Sequence, residues 1–167
     1  VFPGERTSTA VEKLWEVILK TVRVTEDNDP QAEWDKHNRT IIEKCEKLTA
    51  YDFDYLHYES QNGTDFKCWL IPGGKWNGGG ETLIDGTFFN PNMPTEEAFT
   101  SPLKGKCEGT LVATLPLSYQ GNLIDKFSIT FKDGKAVSCK AEQGQALLEK
   151  MIAMDEGASM LGELALV

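Results

Sequence analysis

The chain has 167 residues, of which 40% are hydrophobic and 26% are charged, a composition typical of globular rather than disordered proteins. A chain of this length buries roughly 70% of its unfolded surface, so we expect one folded unit comprising residues 1–167. The 17 basic and 26 acidic residues give a net charge of −9, which argues against nucleic acid and anionic membranes as partners.

The cellular compartment is inferred from membrane-spanning and signal-peptide patterns and from the cysteines. No apolar stretch is long enough to span a bilayer, and the first residues lack the basic and apolar regions of a signal peptide, so we expect a cytoplasmic protein. The cysteines show no Cys-x-x-Cys spacing, which favours reduced, mostly half-buried thiols over a zinc or redox centre. They are Cys45, Cys68, Cys107 and Cys139.

The first predicted element is an amphipathic helix over residues 9–24. Thr9 and Glu12 have the spacing of a capping box. Apolar residues recur at helical spacing, and we expect this stripe to be core. Its members are Val11, Leu14, Trp15, Ile18 and Val22.

A second helix is predicted to begin at Asp29, with Pro30 at its first position. One face of this helix is apolar and is expected to be buried. That face carries Trp34, Ile41, Cys45 and Leu48.

Alternating apolar and polar residues then replace the helical spacing. Residues 55–58 and 66–71 are predicted to be neighbouring strands separated by a turn at residues 61–64. Residues 72–102 are rich in Gly, Pro and Asn, which predicts a long irregular loop, and such loops are uncommon unless they are functional.

The last part of the chain returns to regular structure. A strand is predicted at residues 109–115, followed by a hairpin whose turn is Asp133-Gly134 and by a helix over residues 146–154. The apolar ending, residues 164–167, predicts a final strand and a chain cut from a longer protein. The expected fold is α+β, with an N-terminal helix pair, a mainly antiparallel sheet with a hairpin, and a C-terminal helix.

The two histidines are assigned structural positions. His37 shares the apolar face of the second helix, which favours a half-buried, hydrogen-bonded role over metal ligation. His57 alternates with Leu56 and Tyr58 and is expected to point away from the core. No Gly-x-Ser-x-Gly motif or other sign of a serine or cysteine nucleophile is present.

Three glutamates are candidates for a functional site. Glu96 and Glu97 follow Thr95, so they are also compatible with the acidic first turn of a short helix capped by Thr95. Glu163 lies between Gly162 and an apolar run, where it is either a surface acid or a carboxylate that needs a cationic partner.

Two segments around these glutamates are similar to motifs of the aminopeptidase T and aminopeptidase S family of metal-dependent aminopeptidases. The first is Asn92-Met93-Pro94-Thr95-Glu96-Glu97, followed by an aromatic residue and Thr, and the second is residues 161–167. The resemblance runs along nearly the whole chain, including the start Val1-Phe2-Pro3-Gly4. It implies that Glu97 and Glu163 bind metal, and that Glu96 either accepts a proton in catalysis or lies behind the ligands.

The same resemblance implies a site with two divalent ions, either zinc, cobalt or manganese, that cleaves peptides with free N-termini. Family members complete that site with a later histidine and a His-x-Asp pair, which do not occur within these 167 residues. We therefore expect a central fragment that is inactive by itself and holds no metal tightly. Residues 1–27 would end an N-terminal domain and residues 28–167 would begin the catalytic domain. The apolar end favours self-association, so we expect a homodimer.

Two other functions are compatible with the residues. An exposed Trp76 in the glycine-rich loop of residues 73–80 would favour a non-enzymatic module that binds peptide or carbohydrate. A glycoside hydrolase that uses Glu96 or Glu97 together with Glu163 is also compatible, although no further motif supports it.

Overall fold

The computed structural model describes residues 2–167. In chain order its elements are α1 Thr7–Thr21, α2 Pro30–Tyr51, β1 Tyr55–Glu59, β2 Asp65–Leu70, β3 Glu81–Thr82, β4 Phe88–Phe89, β5 Ala98–Thr100, β6 Pro102–Val112, β7 Leu117–Tyr119, β8 Asn122–Lys132, β9 Lys135–Gln143, α3 Gln145–Ile152 and β10 Leu164–Leu166. This is the expected α+β fold with a mainly antiparallel sheet. None of these helices is both long and apolar enough to cross a bilayer.

The chain divides into two compact units. The first comprises the chain up to Lys47, Trp76–Phe99 and Leu166–Val167. The second comprises Leu48–Lys75 and Thr100–Ala165. The short strands β5 and β10 form a two-stranded sheet of their own.

In the first unit, α2 begins where the sequence predicts. Asp29 Oδ1 accepts hydrogen bonds from the backbone nitrogens of Gln31 at 3.0 Å and Ala32 at 3.2 Å. These bonds satisfy donors that have no partner inside the helix, and Pro30 needs none. The predicted apolar face is buried at three of its four positions, and Asn38 is buried beside them. The buried residues of α2 are Trp34, Asn38, Ile41 and Cys45.

The prediction for α1 is wrong in two respects. The helix begins at Thr7 with Arg6 as its N-cap, so Thr9 lies inside the helix and the proposed capping box does not form. The apolar stripe is not core, because α1 has no buried residue and Trp15 is 57% exposed. Helical spacing determines which face of a helix is apolar, whereas burial requires a second element packed against that face.

The predicted irregular loop is only partly irregular. β3 and β4 pair as a short antiparallel ribbon. Asn77 and Phe99 form an isolated antiparallel bridge with two backbone hydrogen bonds of 2.8 Å. The side-chain amides of Asn38 and Asn90 exchange two hydrogen bonds of 2.9 Å. These bonds attach the loop to α2 inside the first unit.

The second unit contains a six-stranded sheet in the order β1-β2-β6-β8-β7, with β9 also paired to β8. Its pairings are antiparallel. The predicted strand at residues 109–115 is displaced towards the N-terminus, since β6 begins at Pro102 and ends at Val112. The β8–β9 turn confirms the predicted hairpin, because Asp133 and Gly134 have φ angles of 50° and 77°, as a type I′ turn requires.

In the second unit, α3 packs against β8 and β9, and its Leu148 is buried. The rings of Phe66 and Phe131 pack with their centroids 5.3 Å apart. Cys68 and Cys107 face each other across β2 and β6, and both are buried. All four cysteines are free, as predicted, but three of them are fully rather than half buried.

Candidate functional site

The first candidate ligand, Glu97, directly precedes β5 and is half-buried. Its carbonyl group lies against Gly78. A Cβ atom on Gly78 would stand 2.4 Å from the Glu97 carbonyl oxygen and 2.7 Å from Ile41 Cγ2. Only a residue without a side chain allows the backbone to approach α2 this closely. The backbone at Glu97 is therefore packed against Gly78, which is itself packed against Ile41 of α2.

The neighbouring Glu96 forms an ion pair with Arg23. Arg23 Nη2 donates a hydrogen bond of 2.8 Å to Glu96 Oε2, and Arg23 Nη1 lies 2.6 Å from Glu96 Oε1. This hydrogen bond lowers the pKa of the Glu96 carboxyl below its ordinary value, and the partial burial of that carboxyl opposes the shift. The carboxylate is consequently ionised. It accepts one hydrogen bond from Nη2, whereas Nη1 is in ion-pair contact with it but forms no hydrogen bond.

His37 holds Thr95, the residue before Glu96. Its Nε2 donates a hydrogen bond of 2.7 Å to the carbonyl oxygen of Thr95 and lies 3.4 Å from Glu96 Oε2. The His37 side chain is 15% exposed, which confirms the predicted half-buried, hydrogen-bonded role. Thr95 is itself buried.

Arg23 is in turn held by Trp34. The guanidinium carbon lies 5.2 Å from the centroid of the Trp34 ring, within the range of a cation–π contact. Trp34 Nε1 donates a hydrogen bond of 2.7 Å to the carbonyl oxygen of Val22, the residue before Arg23. The Trp34 ring also meets His37 edge-on with centroids 5.4 Å apart. The two residues that bind the Thr95–Glu96 pair thus share one aromatic support.

The second candidate ligand, Glu163, is exposed and stands just before β10, between exposed Gly162 and buried Leu164. Glu97 belongs to the first unit and Glu163 to the second. Among residues 2–167, no three or more His, Cys, Asp or Glu side chains are grouped so as to hold a metal ion. The convergence of the two carboxylates stays a prediction.

Two other sequence-based expectations have clear outcomes. His57 is exposed, as predicted, and its Nε2 lies 2.7 Å from Asp65 Oδ1 on the neighbouring strand. The expectation of an exposed Trp76 is wrong, because this side chain is only 5% exposed. A buried indole provides no platform for a ligand, so the alternative of a binding module loses its premise.

Arg23 was not singled out by the sequence, although it is the charged partner of Glu96. The two residues are 73 positions apart, and a single arginine after a helix carries no local signal of a distant carboxylate. Trp34 and His37 were recognised only as members of the apolar helical face.

This chain is similar to known proteins along its whole length. A family model described as thermophilic metalloprotease (M29) matches residues 1–167. Aminopeptidase AmpS of Bacillus subtilis is 43% identical over 167 residues, which are 100% of this chain and 40% of that protein. Aminopeptidase T of Thermus thermophilus is 41% identical over the same share of each chain.

A solved structure agrees with the sequence relatives. The structure described as wild-type AmpT from Thermus thermophilus superposes with a TM-score of 0.89 at 40% sequence identity. It covers 100% of this chain, and this chain covers 40% of that one. The present chain therefore spans about two fifths of the length of the relatives that it matches.

Proposed function

We propose that this chain, which belongs to the thermophilic metalloprotease (M29) family, is the central segment of a metal-dependent aminopeptidase. The observation that carries the proposal is the match of all 167 residues to relatives that are named aminopeptidases. The proposed reaction is hydrolysis of the first peptide bond of peptides with a free N-terminus. Because the chain spans 40% of those relatives, the activity is proposed for a longer polypeptide that includes it.

Glu97 and Glu163 are the proposed metal ligands of this segment. Carboxylate oxygens suit divalent cations such as zinc, cobalt and manganese, and two negative charges would offset part of the charge of two ions. When bound, such cations would supply Lewis-acid chemistry, which activates a water molecule and polarises the scissile carbonyl. Two carboxylates fit only part of such a site, so the proposal includes histidine and aspartate ligands from the rest of the longer polypeptide.

Glu96 is proposed to serve the site without binding metal. The sequence left open whether this carboxylate accepts a proton or lies behind the ligands. Its pairing with Arg23 supports the second role, because a carboxylate that is already paired with a guanidinium is a weak base.

The division of the longer polypeptide is also part of the proposal. Residues 1–27 are assigned to the end of an N-terminal domain, and residues 28–167 to the first part of the catalytic domain. The boundary falls in the turn between α1 and α2, where Asn28 donates a hydrogen bond of 2.8 Å to the carbonyl oxygen of Arg23. The proposal also includes a cytoplasmic location and a homodimeric state. The net charge of −9 supports peptides rather than nucleic acid or membranes as partners.

The test is removal of each proposed ligand from the complete polypeptide. Glu97→Gln and Glu163→Gln should each abolish hydrolysis of a leucyl-anilide while leaving the melting temperature of the metal-free protein nearly unchanged. Glu142→Gln is the matched control, because Glu142 is a carboxylate at the surface whose ion pair is with exposed Lys126. Near-normal turnover by either ligand variant at saturating metal would overturn the proposed mechanism.

The isolated chain of residues 1–167 is proposed to be inactive because its ligand set is incomplete. Addition of zinc, cobalt or manganese should not produce leucyl-anilide hydrolysis above that of the Glu97→Gln form of the same chain. Metal-dependent release of the anilide by this chain alone would show that the assigned ligand set is wrong.

A further inference from the structure

Two adjacent glutamates precede β5, and the structure distinguishes between them. Glu96 accepts a hydrogen bond from Arg23 through Oε2 and is in ion-pair contact with Arg23 through Oε1. Within residues 2–167, the part of the chain that the structure describes, Glu97 forms no such ion pair. A carboxylate bound by a guanidinium must lose that partner before it can bind a cation, whereas Glu97 has no such competitor.

The backbone of Arg23 has an unusual conformation for an arginine. The end of α1 has the hydrogen bonds of a Schellman motif, from Val24 N to Leu19 O at 2.8 Å and from Arg23 N to Lys20 O at 3.1 Å. The residue at the centre of that motif adopts a left-handed conformation and is usually glycine. Arg23 occupies it with a φ angle of 60°. Arg23 therefore occupies a position whose backbone conformation favours glycine over a residue with a side chain.

We infer that Arg23 is a positioning residue of the proposed metal centre. Its ion pair with Glu96 keeps that carboxylate from the metal, so that Glu97 is the only one of the two glutamates that binds it. His37 assists by holding the carbonyl group of Thr95, and Trp34 supports both residues. The inference deepens the proposed function and rests on it. It predicts that the arginine affects metal binding through Glu96 and not through the fold.

The test uses Arg23→Gly in the complete polypeptide. Glycine relieves the left-handed backbone and removes the guanidinium, so the variant should fold with an unchanged or higher melting temperature when metal-free. Its affinity for Mn²⁺, measured by electron paramagnetic resonance, should fall by about 10–100-fold, the usual effect of removing a group that lies behind the metal ligands. The visible absorption spectrum of the Co²⁺ form should change as well. Arg23→Lys should restore part of the Mn²⁺ affinity.

A double-mutant cycle with Glu96→Gln tests whether Arg23 acts through Glu96. If it does, Arg23→Gly should have little further effect on Mn²⁺ affinity when Glu96 is already glutamine. Lys126→Ala is the matched control, since it breaks the exposed ion pair with Glu142 and should leave Mn²⁺ affinity unchanged.

The outcomes separate this inference from the proposed function. If Glu97→Gln abolishes Mn²⁺ binding but Arg23→Gly leaves the affinity and the Co²⁺ spectrum unchanged, the inference is overturned and the metal site stands. Fully additive losses from Arg23→Gly and Glu96→Gln would likewise overturn it. If Glu97→Gln binds Mn²⁺ and turns over normally, the proposed function itself fails.

Discussion

The carbonyl oxygen of Glu97 stands 2.4 Å from the place where a Cβ atom on residue 78 would lie, so Gly78 and Glu97 fit together only because Gly78 has no side chain. Gly78 belongs to the glycine-rich stretch that the sequence associated with function. Its structural role is to fit between the carbonyl oxygen of Glu97 and the Ile41 side chain of α2.

Gly78→Ala should therefore destabilise the protein and displace Glu97. Overpacking of this kind costs about 1–3 kcal/mol, and the atom that must move is a backbone oxygen rather than a flexible side chain. Urea unfolding of residues 1–167 measures the first effect, and Mn²⁺ affinity of the complete polypeptide measures the second. Gly157→Ala is the control, because the added Cβ atom would lie 3.4 Å from its nearest neighbour, Asp155 Oδ1. Equal stability of the two variants would contradict the packing argument.

Glu97 and Glu163 should approach each other although they lie in different units of the chain. Ligands of one centre converge on the same ion, with carboxylate oxygens about 2.0–2.2 Å from zinc. A crystal structure of the complete polypeptide with bound zinc, located by anomalous scattering, measures these distances. If the carboxylates of Glu97 and Glu163 do not bind the same metal centre, one of the two residues is not a ligand.

The buried thiols of Cys68 and Cys107 should resist alkylation in the folded chain. Burial raises the pKa of each from 9.0 to about 11, which leaves about 100-fold less thiolate at pH 8 than an ordinary cysteine has. Half-exposed Cys139 should be labelled first by iodoacetamide, and peptide mass spectrometry identifies the modified residue. Labelling in urea is the control, since all four thiols should then react at similar rates. Early labelling of Cys68 in the native chain would contradict its burial.

The same pKa shifts predict a loss of stability at high pH. The unfolded chain ionises these thiols near 9.0 and the folded chain near 11, so their contribution to stability is complete below pH 9 and is lost as the pH rises to 11. The free energy of unfolding in urea should be lower at pH 10.5 than at pH 8. The Cys68→Ala/Cys107→Ala variant should show a smaller decrease between these two pH values, and an equal decrease would assign the effect to other groups.

The apolar stripe of α1 should promote self-association of residues 1–167. Trp15 is 57% exposed and Ile18 39% exposed, and a contiguous apolar surface of this kind favours contact with another molecule. Trp15→Glu/Ile18→Glu should shift the mass measured by light scattering after size exclusion towards the monomer. Ser8→Glu adds a negative charge to an exposed polar position of the same helix and should not. A monomeric unmodified chain would remove this claim.

The sequence by itself determined the elements whose signals are local. Asp29-Pro30 sets the start of α2, because the Asp29 carboxylate reaches backbone nitrogens only two and three residues away. Asp133-Gly134 sets the β8–β9 turn, because these two residue types tolerate positive φ angles. The segments around Glu97 and Glu163 identified the family. Each of these signals lies within a few consecutive residues.

Only the tertiary structure decided which side chains are buried and which charges meet. The stripe of α1 and the indole of Trp76 have the same apolar character, yet the first is exposed and the second buried. The pairing of Arg23 with Glu96 and the bond from His37 to Thr95 join residues 73 and 58 positions apart. The physical reason is that burial and ion pairing depend on how separate segments pack together, whereas helix starts and turns depend on the backbone preferences of adjacent residues.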